Sequence, residues 1–168
     1  RFVTEVRLAR RVSHRNVCRI HEYGEDGGLR FLVMELVEGR DLTRVLADGP
    51  LPTARALEIA VQAAEALSAI HHAGIVHRDL KTANLMIDRA GEVKLMDFGI
   101  AKHVGKGTPA APSGYIVGTP EYMSPEQGRG RTVDARSDIY ALGIVTYELY
   151  TGRVPFRADT PVATLLMH

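Results

Sequence analysis

The sequence predicts an α+β fold in which helix outweighs strand. Two observations carry this. Short apolar runs bounded by Gly and Asp cluster at residues 16–39 and again at 85–96, as strands do. Residues 53–72 and 138–152 instead repeat apolar side chains at helical spacing. With 45% apolar residues in 168 and a formal net charge of +1, the chain has the material for a buried core.

The elements follow in order. Phe2, Val6, Ala9 and Val12 recur at helical spacing, so residues 2–12 are expected as an amphipathic helix, broken at Ser13-His14-Arg15-Asn16. Residues 16–26 read as a strand ending in the turn Asp26-Gly27-Gly28. Residues 29–39 read as a second strand, too apolar for an exposed edge, with Gly39 ending it. A short helix capped by Asp41 is stopped by Gly49-Pro50. The helix over 53–72 carries a stripe of Leu57, Ala60, Ala64, Leu67, Ile70 and His71, with Gly74 after it. Strands are expected at 85–87 and 93–96, joined by Asp88-Arg89-Ala90-Gly91. From Gly99 to Arg131 the chain is rich in Gly and Pro with little periodicity, longer than an ordinary connection, and reads as a functional loop. The last helix, closed by Gly152, is apolar enough to run through the interior.

Composition excludes several classes. Lys+Arg at 21 against Asp+Glu at 20 leaves no basic excess, and there is no basic stripe interleaved with aromatics, so nucleic acid is not an expected partner. The single cysteine, Cys18, has no intrachain disulfide partner and sits in an apolar run, so it is expected as a small buried hydrophobe in a reducing compartment. No apolar run is long enough to cross a bilayer, and the charged opening residues are not a signal peptide.

The chemistry concentrates in His77-Arg78-Asp79-Leu80-Lys81-Thr82-Ala83-Asn84, followed across two short strands by Asp97-Phe98-Gly99. A hairpin between them brings Asn84 and Asp97 to one end, where an amide oxygen and a carboxylate can share a divalent cation. Phosphoryl transfer needs such a cation, because charge gathers on the phosphate oxygens. Asp79 is placed to orient a hydroxyl and accept its proton, and Lys81 to offer positive charge to the transferred group.

These residues resemble the eukaryotic-type (Hanks-type) protein kinases, in a bacterial-like form. The likeness spans the chain: the catalytic loop at 77–84, the metal motif at 97–99, and Ser124-Pro125-Glu126-Gln127, where Ser124 replaces the family's usual Ala. The resemblance implies a kinase fold with a partial N-lobe at 1–34, a hinge at 35–41 and a truncated helical C-lobe at 42–168. It implies ATP and Mg²⁺, with Mn²⁺ an alternative, and protein Ser/Thr hydroxyls as acceptors. Asp79 then resembles the catalytic base, Asn84 and Asp97 the metal ligands, and Lys81 with Thr119 the pair found in Ser/Thr-directed members. Glu5 resembles the glutamate that pairs with the nucleotide-anchoring lysine. Met34 resembles the gatekeeper, Glu35 and Val37 the hinge positions whose backbone meets the adenine edge, and Met86 the floor beneath it.

Regulation is implied in the same way. Arg78, next to Asp79, resembles the arginine that receives an activation-segment phosphate. Thr108, Ser113 and Tyr115 are the candidate acceptors within 97–126, with a kinase-domain dimer as the route to autophosphorylation. Ala9, Ile20, His77 and Phe98 match a regulatory spine anchored by Asp138, which is also placed to cap its own helix. Glu126 pairs in the family with a downstream arginine that this chain lacks.

The glycine-rich loop and anchoring lysine are not found upstream of Glu5, so these residues alone are expected to be inactive while a longer parent is an active signalling kinase. That parent is expected in the cytoplasm, or as the cytoplasmic domain of a protein tethered to the membrane by other regions. The rival readings are a non-catalytic kinase-like scaffold, which usually loses Asp79, Asn84 or Asp97, and a small-molecule phosphotransferase, which generally lacks the segment ending at Gln127.

Overall fold

The computed structural model describes residue 6, residues 8–98 and residues 118–168. The expectations placed on Phe2, Glu5, Thr108, Ser113 and Tyr115 lie outside the described residues. Helical backbone is present at Val6, Leu8 and Ala9, and the Arg10 amide donates to the Val6 carbonyl at 3.0 Å. Val6, Ala9 and Val12 are buried in one core with residues spread from Val17 to Leu149.

Strands β1 (Ile20–Asp26) and β2 (Leu29–Met34) form an antiparallel hairpin. Its turn needs positive φ at two successive positions, which Gly27 (55°) and Gly28 (81°) supply. The first strand starts later than its sequence suggests. Asn16, Val17 and Cys18 leave the hairpin to bond the later strand at Leu95: the Cys18 amide donates to the Leu95 carbonyl (2.9 Å) and the Leu95 amide to the Asn16 carbonyl (2.8 Å). The second strand ends at Met34, not at Gly39, and it is exposed despite its apolar content, with Leu29, Phe31 and Val33 all open to solvent.

Gly39 opens a strand instead of closing one. Strands β3 (Gly39–Asp41), β4 (Leu85–Asp88) and β5 (Val93–Leu95) make an antiparallel sheet in the order β3-β4-β5. A Cβ at Gly39 would collide with the carbonyl oxygen of Ile87, so only glycine lets β3 approach β4 this closely. The β4–β5 turn is tied by Asp88, whose Oδ1 accepts the amides of Ala90 and Glu92, each at 2.9 Å.

Helix α1 (Leu42–Leu46) follows β3 directly, and Asp41 caps it by accepting the Arg44 amide at 2.9 Å. Helix α2 (Thr53–His72) has the bounds its periodicity predicts, but its buried stripe is Ala56, Ile59, Ala63, Ala66, Leu67 and Ile70. Leu57 and Ala64 face solvent. Three of the six buried residues are alanines, whose small side chains let α2 lie close to helix α4 (Ala135–Thr151).

Helix α4 begins before Asp138, with Asp134 as its cap, and ends at Gly152 in the left-handed region (φ 73°). It buries one face and leaves Ile139, Tyr147 and Tyr150 open, so it does not run enclosed among the described residues. Two 3-10 turns (Thr82–Asn84 and Pro120–Tyr122) and two short helices, α3 (Pro125–Gly128) and α5 (Pro161–Leu166), complete the fold. Among the described residues, no helix is long and apolar enough to cross a membrane.

Candidate active site

The loop between α2 and β4 is positioned from below by one buried carboxylate. Asp138, in the first turn of α4, accepts the His77 amide on Oδ2 and the Arg78 amide on Oδ1, both at 2.8 Å. The His71 Nε2–H donates to the same Oδ2 at 2.7 Å. Asp138 therefore anchors the loop and does not cap its helix, since Asp134 performs that role by accepting the Arg136 amide. The anchored loop holds Arg78 at φ 68°, a left-handed conformation that a side-chain-bearing residue adopts only when its surroundings hold it there.

His77 locks the next turn. Its Nδ1 accepts the Asp79 amide at 3.2 Å, so the proton sits on Nε2, which donates to the Met96 carbonyl at 2.9 Å. Burial lowers the imidazole's pKa and keeps this ring neutral. One side chain thus joins the segment carrying Asp79 to the strand end carrying Asp97.

Above this support, three of the expected residues meet. The Lys81 ammonium lies 3.2 Å from Asp79 Oδ2 and donates to Thr119 Oγ1 at 3.0 Å. Asn84 spends its amide N–H on the Asp79 carbonyl (2.8 Å), which fixes the flip of the side chain and leaves its oxygen outside that bond. The Met96 amide donates to the Asn84 carbonyl at 2.8 Å, extending the β4–β5 ladder so that Asn84 and Asp97 stand at one end of the hairpin. Asp97 is exposed and has φ 52°. An amide oxygen and a carboxylate suit a hard cation such as Mg²⁺, which takes one or two protein oxygens and completes its shell with water and phosphate. Among the described residues, no group of three or more His, Cys, Asp or Glu side chains forms a closed metal cage.

Of the residues expected to meet the nucleotide, Met34 ends β2, and Met86 lies mid-strand in β4 opposite Asp41 and Lys94. The Glu35 amide is committed to the Arg19 carbonyl (2.8 Å), so its backbone carbonyl, 3.6 Å from Cys18 Sγ, is the group with acceptor capacity left. The Glu35 side chain bonds Lys94 at 2.7 Å and accepts the Arg19 amide at 3.1 Å. Burial acts to raise its pKa, but these two partners outweigh it and lower it. Val37 is half-buried in the irregular stretch before β3. Cys18 is buried, and that burial pushes its thiol up to about 11, as befits an inert core residue.

The remaining expected residues lie around this centre. Ala9, Ile20, His77 and Phe98 are all buried. Glu126 in α3 accepts the Ser137 hydroxyl, which lowers its pKa. Ser124 is fully buried and caps α3 in a reciprocal box with Gln127, a role that the family's usual alanine has no side chain to play.

Four residues have roles in the site that the sequence did not assign to them. Gln127 donates from Nε2 to the Arg78 carbonyl at 2.9 Å, and the Ser-x-x-Gln spacing of a capping box could have singled it out. His71 and Lys94 carried no signal beyond their neighbours' motifs. Thr82 is wholly buried beside Lys81 and bonds Tyr122 at 3.0 Å.

Comparison with known proteins identifies the family. The protein kinase domain family matches residues 1–167. Serine/threonine-protein kinase PknB of Mycobacterium leprae is 43% identical over 173 residues, covering all of this chain and 28% of that protein. Serine/threonine-protein kinase pkn2 of Myxococcus xanthus is 46% identical over 173 residues, again covering all of this chain and 21% of the relative. The chain therefore spans between about a fifth and just over a quarter of these relatives' length. The crystal structure of the Mycobacterium tuberculosis PknI kinase domain superposes with a TM-score of 0.75 at 31% identity, covering 95% of this chain and 61% of that one. The chain belongs to the protein kinase domain family.

Proposed function

We propose that the intact protein transfers the γ-phosphoryl group of ATP to Ser or Thr hydroxyls of protein substrates. The observation that carries this reading is the Lys81 ammonium set between the Asp79 carboxylate and the Thr119 hydroxyl. In that arrangement Asp79 orients the incoming hydroxyl and accepts its proton as the new P–O bond forms and the bond to ADP breaks. Lys81 holds positive charge where the phosphoryl oxygens accumulate negative charge. Thr119 fixes the ammonium between its two partners.

Asn84 and Asp97 would hold the divalent ion, Mg²⁺ or Mn²⁺, which supplies charge neutralisation to the phosphates when bound. Met34 and Met86 would flank the adenine, with the Glu35 carbonyl and Val37 backbone meeting its edge and Glu5 pairing with an anchoring lysine. Arg78 would receive a phosphate on Thr108 or Ser113, placed there by a second kinase copy, while Phe98, Glu126 and Asp138 maintain the active arrangement. We place the protein in the cytoplasm, as a free enzyme or as the cytoplasmic part of a tethered one.

The test is incubation of the intact protein with γ-labelled ATP and a basic acceptor protein, followed by phosphoamino acid analysis. Label on phosphoserine or phosphothreonine, abolished by chelating divalent metal, is the expected result. Label on phosphotyrosine alone, or none, overturns the reading.

A further inference from the structure

The turn Pro120–Tyr122 carries Thr119 to Lys81, yet it has no side-chain cap of its own. Beyond Lys81–Thr119, a chain of hydroxyls ties it to the rest of the molecule, with Thr82 buried at its centre. Thr43 Oγ1 in α1 and Thr82 Oγ1 are 3.1 Å apart, Thr82 Oγ1 is 3.0 Å from the Tyr122 hydroxyl, and that hydroxyl donates to Glu148 Oε2 in α4 at 2.6 Å. Four elements are joined by three contacts, and the chain ends on a carboxylate.

Local backbone does not explain why residue 82 bears a hydroxyl. Thr82 opens a 3-10 turn and follows Lys81, which is extended at φ −163° and ψ 166°. That first helical slot accepts many residues, proline included, and an extended preceding residue suits proline too. Nor is Thr82 the cap of its turn, since Lys81 occupies that position without a side-chain bond. A buried hydroxyl carries a desolvation cost unless bonded, so its retention here points to its partners, Thr43 and Tyr122.

We propose that Thr82 is a positioning residue: its hydroxyl clamps the Pro120–Tyr122 turn to the catalytic loop through Tyr122, with Thr43 and Glu148 as the fixed ends, and so keeps Thr119 on Lys81. Burial and the tie to Glu148 raise the Tyr122 phenol, so it remains a proton donor to that carboxylate at any physiological pH. Tyr122 and Glu148 of the clamp also line an open cavity of about 590 Å³ with Thr119, Glu121, Arg153 and Arg157, so the clamp sets one of its walls. A bland alternative is a threonine that merely fills the core, and the experiment separates the two.

The inference rests on the kinase reading above. Thr82→Val, which keeps the shape and removes the hydroxyl, is compared in the intact protein with Thr82→Ser, which keeps the hydroxyl. Amide hydrogen exchange over residues 119–123 is measured alongside kcat and KM for the acceptor protein and for ATP. In Thr82→Val, exchange there is expected to quicken about ten-fold, and kcat/KM for the acceptor to fall about five-fold. KM for ATP should stay within about two-fold of the parent, and Thr82→Ser should restore both readouts. Thr43→Val breaks the same chain from its other end and should move both in the same direction, which keeps the test open if Thr82→Val does not fold. Unchanged exchange and acceptor kinetics, or a defect that serine does not repair, overturns the proposal. A parent protein that transfers no phosphate overturns the kinase reading itself, and the catalytic role of the clamp with it.

Discussion

The ammonium of Lys81 lies 3.2 Å from the carboxylate of Asp79 and is held there by the hydroxyl of Thr119. The three residues come from two segments remote in sequence, so their meeting is a product of the fold. Two supports produce it: Asp138 grips the backbone of the catalytic loop from below, and the Pro120–Tyr122 turn closes on it from the side.

Lys81→Ala removes the positive charge from this group while leaving Asp79 in place. The expected outcome is a loss of about 10²-fold in kcat, with KM for ATP little changed, because the charge serves the transferring phosphoryl group more than the bound nucleotide. Steady-state kinetics with saturating acceptor protein check this.

Asp138→Asn keeps the side chain's shape but replaces one acceptor oxygen with a donor facing an N–H. One of the two loop amides or the His71 ring then loses its partner inside the core, at roughly 2–3 kcal/mol. A lower denaturation midpoint should be accompanied by faster amide exchange at His77 and Arg78. A variant as stable as the parent would show that the anchoring bonds contribute little.

Glu148 gives a pH dependence of definite sign. Burial raises its carboxyl above the ordinary value of 4.5, and the hydroxyls of Tyr122 and Thr82 offset this only in part. As pH climbs past 4.5 the unfolded chain loses this proton before the folded protein does, so the folded state becomes relatively less stable until its own carboxyl ionises. Glu148→Gln has no such proton. Thermal melts from pH 4 to pH 8 should therefore show the variant gaining on the parent as pH rises, and then a constant difference.

The two halves of the sequence were unequally legible. The juxtaposition of Asn84 and Asp97 is legible because a hairpin whose strands the apolar runs disclose lies between them, and the fold class follows from the same runs. What escaped was decided by neighbours. The periodicity of residues 53–72 fixes a helix but not which stripe turns inward: Leu57 is the more hydrophobic candidate, yet the buried line runs through Ala56, Ala63 and Ala66 because α4 comes close there. Likewise Gly39 looks like a strand stop, and only the nearness of Ile87 reveals that it opens β3. Asp138 looks like a cap for its helix, and its true partners come from residues 71, 77 and 78, far away in sequence.

That difference is itself open to measurement. Ala63→Leu should cost about 1–3 kcal/mol by overpacking the α2–α4 contact, whereas Leu57→Ala, on the exposed face, should change stability by about 0.5 kcal/mol or less. Chemical denaturation of both variants provides the comparison. A larger cost for Leu57→Ala would mean that the stripe read from hydrophobicity alone is the buried one.

The central claim is that Asp79 takes the proton of the phosphate acceptor while Asn84 and Asp97 serve the metal. The most direct measurement is the single-turnover rate of phosphoryl transfer by the intact protein and its Asp79→Asn variant, with ATP binding measured on both. A fall of about 10²–10⁴-fold in rate with nucleotide affinity preserved is the predicted result. Transfer at the parent's rate by the variant would contradict it.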